Sequence, residues 1–331
     1  MPKQKRRHLF IFNFRQMKKF IILLLKFSLF LLVFYNILII FWGSFVPSVL
    51  SPNINFTYKK YGFTNTRLNE IKNFKNIDIL FLGSSHAYRG FDTRIFDEAG
   101  LKSFNLGSSS QTPLQTEILL KRYLDSLNPK MILFEVSPVT FSLDGVESTL
   151  DIISNDKNDF NSIKLALKQN NLKIYNTLFY SYFHSFYRDL FDKKKYAEDI
   201  KKGNDTYISG GYVENQMKFF KHVDYPEIKW VFNETQFSAL QRIIELVNKR
   251  NIKLIFIQAP STSSFYKAHT NNLEFDERIN KYGIYYNFNV ISKLDDSLHF
   301  YDSHHLNQNG VEIFDNDVIN LLFQKKSILR E

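Results

Sequence analysis

Two short stretches hold residues able to do chemistry together. The first, ILFLGSSHAYRGFD, runs from Ile79 to Asp92 and sets Gly83, Ser84, Ser85 and His86 directly after an apolar run. The second, YDSHHLNQNGVEIF, runs from Tyr301 to Phe314 and places Asp302 three residues before His305, just ahead of a helix-forming segment. That spacing can put both side chains on one side of a turn. A serine hydroxyl is a poor nucleophile near neutral pH and needs a base within hydrogen-bond reach. An imidazole titrates near neutrality and suits that task, and a carboxylate can hold it in one tautomer. The residues therefore admit Ser85 as nucleophile, His305 as base and Asp302 as orienter. Ser84 and His304 compete by adjacency. Each fragment alone has a bland reading, since Gly-Ser-Ser after a strand is usually a turn and Asp-x-x-His recurs by chance. His86, His299 and His304 read as surface or structural residues.

The elements that must position these residues alternate along the chain. Ile77–Gly83 reads as a strand. Phe91–Gly100 reads as a helix with Asp92 at its N-cap and Gly100 as its stop. Ser103–Gly107 is a second strand, and a helix follows with Thr112 as N-cap and Pro113 at its first position. Lys130–Pro138 is a third strand. The alternation lapses over about 143–231, a stretch rich in Asn, Asp, Lys and Tyr. It resumes with an amphipathic helix after Thr235, the strand Ile252–Ser261, a weaker fifth strand in FNVISKL, and a last helix over about 309–324. Strands alternating with helices imply an α/β fold, a three-layer sandwich with a parallel sheet covered on both faces. Such sheets bind ligands outside the carboxyl ends of their strands. Gly83–His86, Gly107–Gln111, Glu135–Pro138 and Gln258–Ser261 should crowd along that edge, and the 143–231 insert should cap it.

Charge and hydropathy organise the amino terminus. The net charge is +10, but residues 1–50 hold eight basic groups and no acidic one, leaving 35 basic and 33 acidic groups in the rest. A folded part so nearly balanced excludes a nucleic-acid groove. Phe27–Val46 carries no charge over 20 residues, roughly 30 Å of helix and enough to span a hydrocarbon core. The cations before it, among them Lys18, Lys19 and Lys26, predict a cytoplasmic basic tail (1–26) and a transmembrane signal anchor (27–46). A linker (47–75) and an extracytoplasmic domain (76–331), periplasmic or extracellular, should follow. The chain has no cysteine, which rules out disulfides, thiol nucleophiles and thiolate-bound metals. No Gly-rich phosphate loop and no metal-ligand spacing stands out, so no metal and no cofactor are expected. Adjacent His304 and His305 would not face one site on a helix. The aromatics of Tyr175–Phe191 read as a helix face packed on the sheet, or as a sugar-stacking surface.

Gly-Ser-Ser after the first strand and Asp-x-x-His before the last helix together resemble the SGNH, or GDSL-like, hydrolase superfamily, whose fold is flavodoxin-like. GSSH stands where the family has Gly-Asp-Ser-Leu, which aligns Ser85 with the nucleophile. Gly107 in NLGSSS matches the glycine of the second block, and Asp302 and His305 match the fifth. The resemblance implies Ser85 and Gly107 as backbone oxyanion donors. The third block departs: EVSP (Glu135–Pro138) has no Asn where the family has a donor. Ser109 and Gln111 are the candidate substitutes, and Arg89 is a candidate to hold an anionic substrate, although an Arg there reads first as a solvated surface residue. The single amino-terminal helix and the GSS start resemble the membrane-anchored branches, which include the teichoic acid D-alanine transfer protein and the alginate O-acetylation proteins. That likeness implies a serine acyl esterase or O-acyltransferase acting on acylated cell-surface glycans or polymers, with a membrane-bound O-acyltransferase as a partner. An idle scaffold or a glycan-binding protein of an envelope assembly is the alternative.

Overall fold

A computed structural model describes residues 14–191 and 198–324. The chain divides into two compact units, Met1–Ile54 and Asn55–Glu331. The first contains a 32-residue helix, Phe14–Phe45. Its Gln16–Phe45 part is long and apolar enough to cross a membrane. This helix starts before the expected Phe27 because FIILLL, between Lys19 and Lys26, continues it, and isolated lysines do not stop a helix. The first part of the basic tail, residues 1–13, lies outside the described residues.

The second unit is built on a five-stranded sheet in the order Ser103–Asn105, Ile79–Leu82, Met131–Glu135, Lys253–Gln258, Tyr285–Asn287. Its strands are β1 (Ile79–Leu82), β2 (Ser103–Asn105), β3 (Met131–Glu135), β7 (Lys253–Gln258) and β8 (Tyr285–Asn287). Every pairing is parallel, with Leu80 opposite Phe104 and Ile132, and Phe134 opposite Phe256. Side chains alternate faces along a strand, and two separate cores result. Leu80, Leu82, Ile132, Phe134 and Phe256 face the Pro113–Leu127 and Glu234–Asn248 helices. Ile79, Phe81, Leu133, Ile255 and Ile257 face the helices Thr93–Glu98 and Gln308–Ile319. The expected three-layer α/β sandwich is observed. Local chemistry starts the helices as expected: Asp92 accepts from Arg94 N, and Thr112 and Gln115 form a capping box ahead of the first helical turn.

Three expectations change. The fifth strand is Tyr285–Asn287, not FNVISKL. Asn287 accepts from Asn289 N and caps a short helix, Phe288–Ile291, which buries Phe288. The stretch expected as a linker, 47–75, is folded from Asn55 onward. Arg67, almost fully buried, donates to Gly211 O and Gly62 O, and its guanidinium lies 4.8 Å from the centre of the Tyr88 ring. The Leu172–Phe191 helix does not pack on the sheet. Its Ile174 and Leu178 join Leu150, Ile153 and Ala166 in a satellite core, while Phe186 and Phe191 stay exposed. The insert also contains a small antiparallel sheet of β4 (Lys201–Lys202), β5 (Asp205–Ile208) and β6 (Tyr212–Asn215).

Candidate active site

Strand order reverses between β1 and β3, and the crevice of an open parallel sheet lies where such a reversal occurs. β1 delivers Gly83 there with φ +138°, a conformation that favours glycine. A Cβ on Gly83 would stand 2.7 Å from Glu135 Oε2 and 2.8 Å from Glu135 Cβ. The turn is therefore small because it packs on the end of β3. Ser84 follows, and its Oγ accepts from His86 N and caps the one-turn helix Ser85–Tyr88. Ser85 opens that helix and is half-buried.

From the other end of the unit, the turn before the last helix brings up the acid and the base. Asp302 Oδ1 accepts from the backbone N–H groups of His304 (3.0 Å) and His305 (2.8 Å). Asp302 Oδ2 lies 2.8 Å from His305 Nδ1, and His305 Nε2 lies 2.8 Å from Ser85 Oγ. An ionised carboxylate only accepts, so Nδ1 carries the ring proton, and Nε2 keeps a lone pair for the Ser85 hydroxyl. Burial alone would raise Asp302, but the His305 hydrogen bond and charge and the His304 amide hold it well below the ordinary carboxylate range. Tyr301 stacks on His305 at 5.5 Å and 6°, and Asn307 caps the helix that follows by accepting from Gly310 N. The three residues singled out in the sequence thus meet in one hydrogen-bonded chain.

The other named residues are placed differently. Gly107 packs against the nucleophile turn, where a Cβ would stand 2.9 Å from Ser84 O. Its N–H, however, donates to Asn105 Oδ1 at 3.1 Å. Asn105 is fully buried and anchors the same turn through Ala87 O, so Gly107 is not a free oxyanion donor. Ser85, as the first residue of a helix, has an N–H with no intrahelical acceptor. Gln111 is buried and spent on Ser108 Oγ and Thr116 Oγ1. Ser109 Oγ pairs with Tyr88 OH at 3.2 Å. Arg89 is neither solvated nor free: its guanidinium forks onto Asp205 of β5 at 2.8 and 2.7 Å. That contact and Trp230 bring two parts of the insert to the site's surroundings. A cleft of about 20 Å³ is bordered by His86, Ser137, Pro138, Trp230, Phe265 and His304. A larger one, about 670 Å³, is lined by polar residues including Asp92, Arg94 and Glu214, and by no member of the chain Asp302–His305–Ser85.

Sequence reasoning missed two buried groups beneath the nucleophile. Glu135 Oε2 accepts from Ser84 N at 3.3 Å and lies 3.2 Å from Ser84 Oγ. Burial pushes the Glu135 carboxyl up to about 7, against the lowering effect of the Ser84 bonds. His86 Nδ1 sits 3.1 Å from Ser84 Oγ, and its ring stacks on that of His305 at 5.1 Å. Burial, followed by the charges of His305 and His304, holds His86 well below the ordinary histidine range. The signal for Glu135 was its place at the end of β3, facing the Ser-Ser turn. It read as a missing Asn rather than as a residue with its own partner.

No protein-family model and no curated protein matches the chain. Solved structures do. A GDSL-like lipase from Bacteroides thetaiotaomicron VPI-5482 and a candidate acylhydrolase from Bacteroides fragilis NCTC 9343 each align with a TM-score of 0.40 at 11% identity, over 80% of this chain and 98% of theirs. A G-D-S-L family protein from Desulfitobacterium hafniense DCB-2 aligns with a TM-score of 0.40 at 10% identity, over 75% of this chain and 100% of its own. At that degree of likeness neither family nor activity transfers to this chain.

Proposed function

We propose that the chain is a membrane-anchored, extracytoplasmic serine acyl esterase or O-acyltransferase acting on acyl groups of cell-surface glycans or polymers. The hydrogen-bonded chain Asp302–His305–Ser85 carries the reading. Ser85 Oγ attacks the acyl carbonyl carbon while its proton passes to His305 Nε2. The resulting imidazolium is stabilised by Asp302, which stays ionised. Negative charge on the carbonyl oxygen is met by the Ser85 N–H. Collapse breaks the ester C–O bond, and His305 returns the proton to the leaving alkoxide. Water or a sugar hydroxyl then attacks acyl-Ser85 and delivers its proton to His305, which regenerates the serine. With Gly107 N–H turned to Asn105, one backbone donor serves the oxyanion, and losing a donor costs about 10²–10³ in rate.

The Gln16–Phe45 helix and the cations that precede and open it support a single span with its amino terminus inside. Such an anchor would hold the folded unit beside envelope polymers and beside any membrane-bound partner that supplies the acyl group. Two experiments test the proposal. A fluorophosphonate probe should label Ser85 in the wild-type chain and not in Ser85→Ala; an unlabelled wild type overturns the chemistry. Reporters active only outside the cytoplasm, fused after residue 60 and at the carboxyl terminus, should both be active; silence of both overturns the topology.

A further inference from the structure

We propose that His86, His304 and His305 form a binding site for one divalent, zinc-type transition-metal ion that reversibly blocks Ser85. One ligand nitrogen from each ring lies within 4.8 Å of the other two. The rings crowd together: His86 stacks on His305 at 5.1 Å and 26°, and His304 lies tilted to both, its centroid 4.2 Å from that of His305 and 5.3 Å from that of His86. Tetrahedral zinc with Zn–N bonds of about 2.0–2.1 Å needs nitrogens about 3.3 Å apart, so the cluster closes by about 1.5 Å on loading. His304, half-buried on a turn, is placed to swing by that much. The objection that adjacent histidines diverge applies to a helix, and His304 and His305 precede the helix that starts at Gln308.

The surroundings are those of a ligand set. Metal-binding histidines are oriented by a partner on the nitrogen that does not bind. Here each Nδ1 has one: Asp302 Oδ2 for His305 at 2.8 Å, Ser303 Oγ for His304 at 2.8 Å, and Ser84 Oγ for His86 at 3.1 Å. That leaves the three Nε2 atoms for the ion. On loading, His86 gives up its contact with the His304 backbone, and its Nδ1–H points to Ser84 Oγ, which in turn reaches Glu135 Oε2. His305 Nε2 exchanges the Ser85 hydrogen bond for the metal bond. Ser85 keeps its proton and loses its base, while no covalent bond is made or broken.

The blocking effect rests on the proposed function, but metal binding does not. The test uses the full chain in detergent micelles, freed of metal by a chelator and titrated with Zn²⁺ by calorimetry. Fluorophosphonate labelling is followed in parallel. We expect one Zn²⁺ per chain. At a free Zn²⁺ concentration of ten times Kd, labelling should fall about tenfold by mass action, and a chelator should restore it. His304→Leu should lose Zn²⁺ binding, and whatever its rate of labelling without metal, that rate should not fall when Zn²⁺ is added; His86→Gln should also lose Zn²⁺ binding. Undiminished Zn²⁺ binding by His304→Leu, or labelling of the wild type indifferent to saturating Zn²⁺, overturns the inference. A wild type that binds Zn²⁺ but is never labelled overturns the acyl-transfer reading and leaves the metal site standing.

Discussion

Two sets of serine, histidine and acid lie side by side in this protein, and they are wired differently. In Ser85–His305–Asp302 the hydroxyl and the carboxylate occupy opposite nitrogens of the ring, each at 2.8 Å. Charge on the acid is therefore felt at the hydroxyl through the imidazole. In Ser84–His86–Glu135 both groups approach the same nitrogen, Nδ1, at 3.1 Å for Ser84 Oγ and 3.8 Å for Glu135 Oε1. No relay can run there, and Ser84 contacts the acid directly. The acids differ too. Asp302 is 40% exposed and receives two backbone amides as well as the ring. Glu135 is 1% exposed, and its Oε1 has no hydrogen-bond partner. The same residue types give an ionised, polarising acid in one place and a near-neutral one in the other. Wiring and solvation, not composition, separate a candidate nucleophile from a structural cap.

That contrast can be broken in order of expected effect. Ser85→Ala or His305→Ala should lower hydrolysis of p-nitrophenyl acetate by about 10⁵–10⁶ with little change in melting temperature. Wild-type turnover in Ser85→Ala would remove the first set from the chemistry. Asp302→Asn should cost about 10⁴, because the ring then loses the partner that fixes its tautomer; a loss below tenfold would mean that the backbone alone orients His305. Glu135→Gln should act on stability. The Glu135 carboxyl is raised from its ordinary 4.5 to about 7, so the stability that its neutral form contributes is full below about pH 4.5. It is lost as pH rises through about 7. The loss is of order 3 kcal/mol, and the neutral amide should escape it. Melting at pH 8 should rise relative to the wild type and match it at pH 5; equal destabilisation at both pH values would contradict a raised carboxyl. Ser84→Ala should be smallest: turnover within about tenfold, and about 1 kcal/mol lost with the helix cap, read from denaturant unfolding.

Much of the frame was legible because its signals are local. Asp92, Thr112 and Pro113 announce helix starts within three residues of themselves, and the apolar runs of β1, β3 and β7 need no distant partner to be read. FNVISKL was misread because a short apolar run does not separate strand from helix, and the Asn287 cap decided it. The Ser85, His305 and Asp302 set could be read as a pattern of types. What could not be read are pairings that only the folded chain makes: Asp205 onto Arg89, Asn105 onto the Gly107 amide, Arg67 under Tyr88, and His86 against His305. Three of these join segments far apart in sequence and leave no periodicity or spacing, while the Asn105 contact is local but turns on a side-chain direction that the residue type does not fix.

The nucleophile and its base are 220 residues apart in sequence, on turns that flank the first and last elements of the sheet domain. All-parallel sheets close slowly, since each crossover orders a long loop before its contacts form. In the folded chain Ser85 meets His305 across a sheet in which β1, β3 and β7 are in register, with the Gln308–Ile319 helix packed on it. A chain in which that helix has not docked would hold the serine without its base and would be chemically silent. During refolding from denaturant, helical signal should recover first and probe labelling should return only with the slowest phase. Catalytic competence would then report that the last stage of assembly is complete.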